Sequence, residues 1–189
     1  MLDFKEDIEQ CIKTLSEGKL ILYPTDTIWG VGCDATNEEA IAKIFTLKKR
    51  ADSKSVIILI SNEKDLQDYV SEVPEMLNKI IANQKRPTTI IYEGGKNLAK
   101  NVLNADGSIA IRIVNDPFCA ALIKEFGKPI VSTSANISGR PSPGNFREIA
   151  DEIKNGVTYT VKHRRESLES GEPSAIIKIR KDGGFEVIR

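Results

Sequence analysis

The sequence is poor in the residues on which metal and nucleophilic chemistry usually depends. His163 is its only histidine, and its three cysteines, Cys11, Cys33 and Cys119, are isolated and lack CxxC spacing. A lone histidine argues against a histidine-based metal site and against a Ser-His-Asp triad. Isolated cysteines, odd in number, are typical of a reducing compartment and not of a disulfide framework.

Long apolar runs and net charge are absent as well. No apolar run approaches the ~18 residues of a membrane-spanning helix, and the N-terminus carries acidic residues where a signal peptide is basic. We therefore expect a soluble, cytoplasmic protein without a membrane partner. The 27 basic and 27 acidic side chains cancel, which argues against a wholly basic nucleic-acid binder but is compatible with a local basic groove.

Phosphate-binding signatures are also missing. The sequence contains neither GxxxxGK[ST] nor GxGxxG, which excludes the Walker-type and Rossmann phosphate loops. Its length of 189 residues favours one domain, residues 1–189.

Helical and strand patterns alternate along most of the chain. This alternation predicts an α/β fold, an open mixed sheet with helices packed on it. We expect three segments without regular structure: a structured loop at residues 24–34, an irregular stretch at 97–107 and a solvated or mobile charged loop at 162–172. We also expect a helix opened by a capping box from Thr36 to Glu39 and a later helix capped by Asn145. A hairpin with its turn at 182–184 follows. We expect Trp29 to pack in the core.

Polar residues gather where predicted strands end. Residues 129–142 begin as an apolar strand and continue into hydroxyl and amide side chains, and open α/β sheets bind ligands at strand ends. Arg112 lies in the middle of an alternating strand, so it needs a carboxylate or an anionic ligand as partner. The basic run at residues 48–54 follows a helix and fits either a solvated helix end or a phosphate clamp.

These features together describe a site of hydroxyls and fixed cations, without a nucleophile–base pair or a metal cage. Such a site suits reactions in which positioning and charge neutralisation provide the rate, as in transfers at phosphorus.

Four segments resemble the YrdC-like domain of threonylcarbamoyl-AMP synthases, in the order in which that family has them. They are Tyr23 to Gly32, Lys48-Lys49-Arg50 with Lys54, Ser108 to Arg112, and Ser132 to Gly139. The resemblance implies an open twisted mixed β-sheet (α/β, α+β) with a concave, positively lined surface, in the short form without an extra C-terminal domain. It implies synthesis of threonylcarbamoyl-AMP from L-threonine, bicarbonate and ATP with Mg²⁺, releasing pyrophosphate, by a nucleotidyltransferase. The product would pass to a tRNA threonylcarbamoyl transferase complex for N6-threonylcarbamoyladenosine.

The resemblance also implies site residues, carried over position by position. Lys48 and Arg50 would be catalytic, and no metal ligand comes from a protein side chain. The threonine contacts would be Thr27, Arg112, Ser132 and Ser174. The ATP contacts would be Arg50, Lys54, Ser108, Ser134, Asn136, Ser142 and Arg189.

The sequence departs from the family pattern at several positions. Ala51 and Ser55 stand where the family has proline, Lys85-Arg86 replace Pro-Gly before Pro87, and Ala175 follows Ser174 in place of threonine. Lys162-His163-Arg164-Arg165 replace an acidic, glycine-rich turn. Two alternatives therefore stay open: an RNA-binding module that contacts tRNA or double-stranded RNA without catalysis, and a paralogue that acts on another small acid.

Overall fold

One mixed sheet organises the computed structural model, which describes residues 4–49, 56–75, 77, 81, 84–180 and 184–189. Nine strands form it within that described part, in the order β7-β1-β2-β6-β3-β5-β4-β8-β9. Their bounds are β1 Ile21–Tyr23, β2 Gly30–Asp34, β3 Ile57–Ile60, β4 Thr88–Tyr92, β5 Ile109–Ile113, β6 Ile130–Ser134, β7 Tyr159–Thr160, β8 Ala175–Ile179 and β9 Phe185–Val187. The pairs β1–β7, β3–β5 and β4–β8 are parallel and the other pairs are antiparallel, so the predicted mixed sheet is confirmed.

The helices lie on both faces of this sheet. They are α1 Lys5–Ser16, α2 Glu38–Leu47, α3 Leu66–Tyr69, α4 Pro117–Phe126 and α5 Asp151–Gly156, with short 3₁₀ turns at Glu63–Asp65, Lys100–Val102 and Phe146–Glu148. Leu77 and Ile81 are also helical, while 76, 78–80 and 82–83 lie outside the described residues. Among the helices described here, none has the length and apolar character needed to cross a bilayer.

Each face of the sheet has its own core because side chains alternate along a strand. One core contains Val31, Ile58, Ile111 and Val131 together with the inner face of α2. The other contains Tyr23, Leu59 and Ile130 under α1 and α4. The second core covers only part of its face, and the part left open carries the polar residues described below.

Local signals explain most element ends. The side chain of Asp116 caps α4 by accepting from the backbone N–H of Cys119 at 2.9 Å, and Pro117 follows at the first turn. Gly127 ends α4 with a φ of +73°, a left-handed conformation that glycine adopts without strain.

The predicted loop at residues 24–34 is wrong in its second half, because Gly30–Asp34 is strand β2. Glycine is depleted in strands, so Gly30 and Gly32 pointed away from this assignment. Here they are needed by packing. A Cβ on Gly32 would lie 2.7 Å from the ring of Tyr23 and 2.7 Å from the carbonyl oxygen of Val131.

Three smaller predictions also change. Helix α2 is capped by Asn37, whose side chain accepts from the N–H of Ala40, and not by Thr36. Asn145 caps a 3₁₀ turn, and α5 begins only at Asp151. The segment 162–172 is anchored rather than simply solvated, since the N–H groups of Lys162 and His163 both donate to the carboxylate of Asp7.

The close contacts at Gly32 predict a stability effect. We expect Gly32→Ala to lower the free energy of unfolding by about 1–3 kcal/mol, because the added methyl meets backbone and a packed ring. Gly30→Ala is the matched control, since the one close contact of its Cβ would be the rotatable hydroxyl of Ser132 at 3.0 Å, while the carbonyl of Thr133 and the ring of Tyr23 would lie at 3.4 and 3.7 Å. Urea unfolding of both variants checks this, and equal losses would contradict the packing explanation.

Candidate active site

A cavity of about 340 Å³ lies over the part of the sheet that α1 and α4 leave uncovered. The floor of the cavity is formed by β3 and its neighbours β5 and β6. Ile57 of β3 is paired with Ala110 of β5 and with Ser132 of β6, so these three side chains lie on the same face of the sheet. Seven of the residues predicted for the site line it: Thr27, Arg112, Ser132, Ser134, Ser142, Ser174 and Arg189. These residues come from segments spread over most of the chain, and folding brings them together around the cavity.

Arg112 is the most constrained charge in the cavity. Its side chain is 4% exposed, and its Nη2 lies 3.0 Å from Oδ1 of Asp26. Nη2 also lies 3.5 Å from Oγ1 of Thr25, whereas Nε of Arg112 has no hydrogen-bond partner among the described residues. A buried guanidinium with an unused donor is suited to an anionic ligand, because it can bind a carboxylate through two parallel N–H groups.

Thr25 shapes the loop that carries Thr27. Its hydroxyl donates to the carbonyl of Ile28 at 2.8 Å and accepts from the N–H of Thr27 at 3.1 Å. The hydroxyls of Thr25 and Thr27 are 2.9 Å apart. Since a hydroxyl carries one proton, Thr27 is the donor in that contact, and its oxygen keeps lone pairs that can accept from a ligand.

Helix α4 supports the same loop from behind. The thiol of Cys119 donates to the carbonyl of Pro24 at 3.3 Å. Burial raises the pKa of this thiol well above its ordinary value, and the nearby carboxylates of Asp116 and Asp26 add to the shift. Cys119 therefore keeps its proton and remains a donor to the loop.

The opposite wall is built from the last strands of the chain. The hydroxyl of Ser174 lies 2.8 Å from that of Thr89, which it meets because β8 pairs with β4. The guanidinium of Arg189 donates to the carbonyl of Ser174 at 3.1 and 3.3 Å. Burial lowers the pKa of Arg189, and the like charges of Arg112 and Arg86 lower it further. A bound anion would relieve this repulsion.

Three predicted site residues lie behind the cavity surface. The ammonium of Lys48, 2% exposed, donates to the carbonyl of Ser134 and, at 2.5 Å, to that of Asn136. The amide of Asn136 donates to the carbonyls of Ile137 and Arg140. The hydroxyl of Ser108 donates to Asp106 at 2.6 Å and accepts from Asn104. These contacts hold the turn after β6 and the residues beside β5.

Arg50 and Lys54, the other predicted phosphate contacts, lie outside the described residues. Within the described ranges, no group of three histidine, cysteine, aspartate or glutamate side chains could hold a metal ion.

Several residues that line the cavity did not stand out in the sequence. They are Gly30, Asn104, Ile57, Pro173, Ile176 and Ile188. Asn104 fell in a stretch predicted to be irregular, and nothing in its sequence context marks it. Gly30 lies in the predicted loop 24–34, and its strand pairing with Ser134 brings its backbone to the cavity.

Comparison with known proteins adds independent findings. The Sua5/YciO/YrdC family model, described as "Telomere recombination", matches residues 13–189. A protein from Vibrio campbellii named threonylcarbamoyl-AMP synthase is 32% identical over 174 residues, which are 90% of this chain and 93% of that protein.

Two solved structures share the architecture. The P. abyssi Sua5 structure, complexed with L-threonine, has a TM-score of 0.84 and 25% identity over 97% of this chain. This chain spans about half of that one, 54% of its length. E. coli YciO has a TM-score of 0.83 and 22% identity over 97% of this chain and 88% of its own, which supports the fold.

The ion pair between Asp26 and Arg112 can be tested by a double-mutant cycle on stability. We expect Asp26→Asn to lower the free energy of unfolding by about 3 kcal/mol, because a guanidinium that is cut off from water loses its compensating charge. Arg112→Met should cost a similar amount, and the double variant should recover most of the loss. Urea unfolding of the four proteins measures the coupling, and additive losses would show that the pair is not coupled.

Proposed function

The chain belongs to the Sua5/YciO/YrdC family, and from that membership we propose that it makes threonylcarbamoyl-AMP from L-threonine, bicarbonate and ATP, releasing pyrophosphate. The observation that carries this proposal is the cavity in which Thr27, Ser132 and the partly unpaired guanidinium of Arg112 face one small space. That donor and acceptor set fits an amino acid that has a carboxylate and a hydroxyl. The names of the curated relatives support the same activity, and the threonine-bound Sua5 structure supports the substrate.

We propose that the amino-acid carboxylate binds Arg112. The carboxylate would accept from the Nε–H of Arg112, which is buried away from water and has no hydrogen-bond partner among the described residues. Thr27 and Ser132 then orient the rest of the amino acid beside the floor of the cavity. Gly30 contributes by having no side chain, since a Cβ there would lie 3.0 Å from the hydroxyl of Ser132.

The reaction needs no covalent bond to the protein. The amine of threonine takes up bicarbonate to form a carbamate, with loss of water. A carbamate oxygen then attacks the α-phosphorus of ATP, and the bond from the α-phosphorus to the α,β-bridging oxygen breaks, so that this oxygen leaves with pyrophosphate. Positioning and charge neutralisation provide most of the rate in such in-line transfers. This step makes the protein a nucleotidyltransferase.

ATP would bind beside the amino acid, at Ser134, Ser142 and Arg189 on the cavity wall and at Arg50 and Lys54 in the basic segment. Lys48 and Asn136 would hold the turn that presents Ser134. We propose that Mg²⁺ arrives with the ATP phosphates as part of the substrate, since this ion binds mainly through phosphate oxygens and retained waters.

The product is a mixed carbamic–phosphoric anhydride, so a transferase must consume it. We propose that a tRNA threonylcarbamoyl transferase uses it to modify adenosine in tRNA.

The direct test is pyrophosphate release from Mg·ATP. We expect release only when L-threonine and bicarbonate are both present, together with a product of the mass of threonylcarbamoyl-AMP. Release with another small acid, but not with threonine, would indicate the paralogue with a different substrate. Salt-sensitive RNA binding without ATP consumption would instead indicate the RNA-binding module.

Substrate selection supplies a second prediction. We expect Arg112→Lys to lower kcat/KM for threonine by about tenfold to a hundredfold, because a charge-assisted bidentate contact is lost. We expect Thr27→Val to reduce the preference for threonine over 2-aminobutyrate, since Val keeps the shape and removes the hydroxyl. Initial rates of pyrophosphate release with both amino acids check these effects, with Thr46→Val on the exposed side of α2 as the control. An unchanged preference in Thr27→Val would remove Thr27 from the substrate contacts.

A further inference from the structure

Residues 164–171, here called the strap, occupy the region where the sequence departs from its family pattern. Lys162-His163-Arg164-Arg165 replace an acidic, glycine-rich turn at its start. None of these four basic residues has a part in the proposed function. The strap lies against the loop that carries Thr27, and it contacts that loop at both of its own ends.

At its first end, Arg164 bridges helix α4 and the loop. Its Nη2 lies 2.6 Å from Oδ2 of Asp116, with side chains 37% and 3% exposed. Its Nη1 donates to the carbonyl of Thr25 at 3.4 Å. The other carboxylate oxygen of Asp116 caps α4, so Arg164 links a fixed helix end to the backbone two residues before Thr27.

The backbone of Arg164 supports this interpretation. Its φ is +64°, in the left-handed region that costs a non-glycine residue about 1–2 kcal/mol. Such a conformation persists only where surrounding contacts determine it, and it is found preferentially at functional sites. At Arg164 the surrounding contacts are those of its side chain with Asp116 and Thr25, together with the hydrogen bond that its carbonyl accepts from the N–H of Ser167.

At its second end, the strap touches Thr27 itself. A Cβ on Gly171 would lie 1.5 Å from the carbonyl oxygen of Thr27, so only glycine fits there without movement. The N–H of Gly171 donates to the carbonyl of Gly144 at 3.2 Å, which ties this end to the chain that follows β6.

Thr27, Ile28 and Trp29 form a thin wall between two cavities. One side faces the site cavity, and the other faces a second cavity of about 430 Å³ that Arg164, Asp116 and Gly171 help to line. The strap contacts this wall at Thr27, in addition to the hydrogen bonds that Thr25 makes to Thr27 and Ile28.

We infer that Arg164 is a positioning residue for the amino-acid subsite, which acts with Gly171 by fixing the loop that presents the hydroxyl of Thr27. This inference rests on the proposed function for its substrate, whereas the mechanical link from the strap to Thr27 is independent of that function. The strap is thus a feature by which this chain sets its own affinity for the amino acid.

The test uses four variants of the full chain. Arg164→Gly removes the guanidinium and tolerates the positive φ, so it isolates the side-chain contacts. Arg164→Lys can still form an ion pair with Asp116, but it lacks the second guanidinium nitrogen that donates to the carbonyl of Thr25. Gly171→Ala displaces Thr27 from the other end. Arg147→Gln is the control, because it removes an exposed ion pair between a 3₁₀ turn and Glu166 of the strap.

We expect Arg164→Gly and Gly171→Ala to raise KM for threonine by about three- to tenfold, with KM for ATP and kcat unchanged. Arg164→Lys should have the unfolding midpoint of the unaltered chain, because it keeps the ion pair with Asp116. Its KM for threonine should stay raised as in Arg164→Gly, because the contact with the loop is lost. Arg147→Gln should match the unaltered chain in every measurement.

A second readout does not depend on activity. The N–H of Thr27 is hydrogen-bonded to Oγ1 of Thr25, so its hydrogen exchange reports the order of the loop. We expect Arg164→Gly to speed this exchange by about tenfold, with no change at the N–H of Gly127, which donates to the carbonyl of Ile123 at the far end of α4.

The outcomes separate the two proposals. If the unaltered chain shows no threonine-dependent pyrophosphate release, the proposed function is wrong, and the exchange at Thr27 alone decides whether the strap positions the loop. If KM for threonine and the exchange at Thr27 are both unchanged in Arg164→Gly, the inference is overturned. If all strap variants lower kcat and stability and raise the KM values for threonine and for ATP in parallel, the strap has a general structural role, and the inference is overturned as well.

Discussion

The buried guanidinium of Arg112 is the constraint on which the site depends. A cation in mid-strand, on a face that helices partly cover, is stable only with a compensating charge. Asp26 supplies it at 3.0 Å, and this requirement fixes where the chain runs after β1. Thr25 and Thr27 flank Asp26, so the contact that neutralises Arg112 also places the hydroxyl of Thr27 at the cavity.

The division of one sheet face explains why the cavity lies where it does. Helices α1 and α4 cover the part of the face that carries Ile21, Tyr23 and Leu59. Beyond them, Ala110 and Ser132 line the cavity with small or polar side chains that give a helix little apolar surface to pack on. The same alternation that buries one set of residues therefore keeps the other set available for a ligand.

The sequence predicted those parts of the site that depend on local pattern. Alternation in β5 identified the face on which Arg112 lies, and the end of β6 identified Ser132 and Ser134. It missed β2, because the glycines that let Tyr23 and Ser132 approach the backbone look like loop residues. It could not show that the ammonium of Lys48 turns toward the carbonyls after β6, since that contact joins residues far apart in sequence. Long-range packing decides such positions, and periodicity does not report it.

The parallel pairing of β8 with β4 has a consequence for how the protein is made. Ser174 and Arg189 belong to the final hairpin, and they reach the cavity only when that hairpin docks on a strand formed from residues 88–92. A chain emerging from the ribosome can build the centre of the sheet before residues 174–189, which supply one wall of the cavity, have been synthesised. Completion of the cavity therefore requires β8 to return to β4, which has to overcome the loop-closure entropy of the long connection between them.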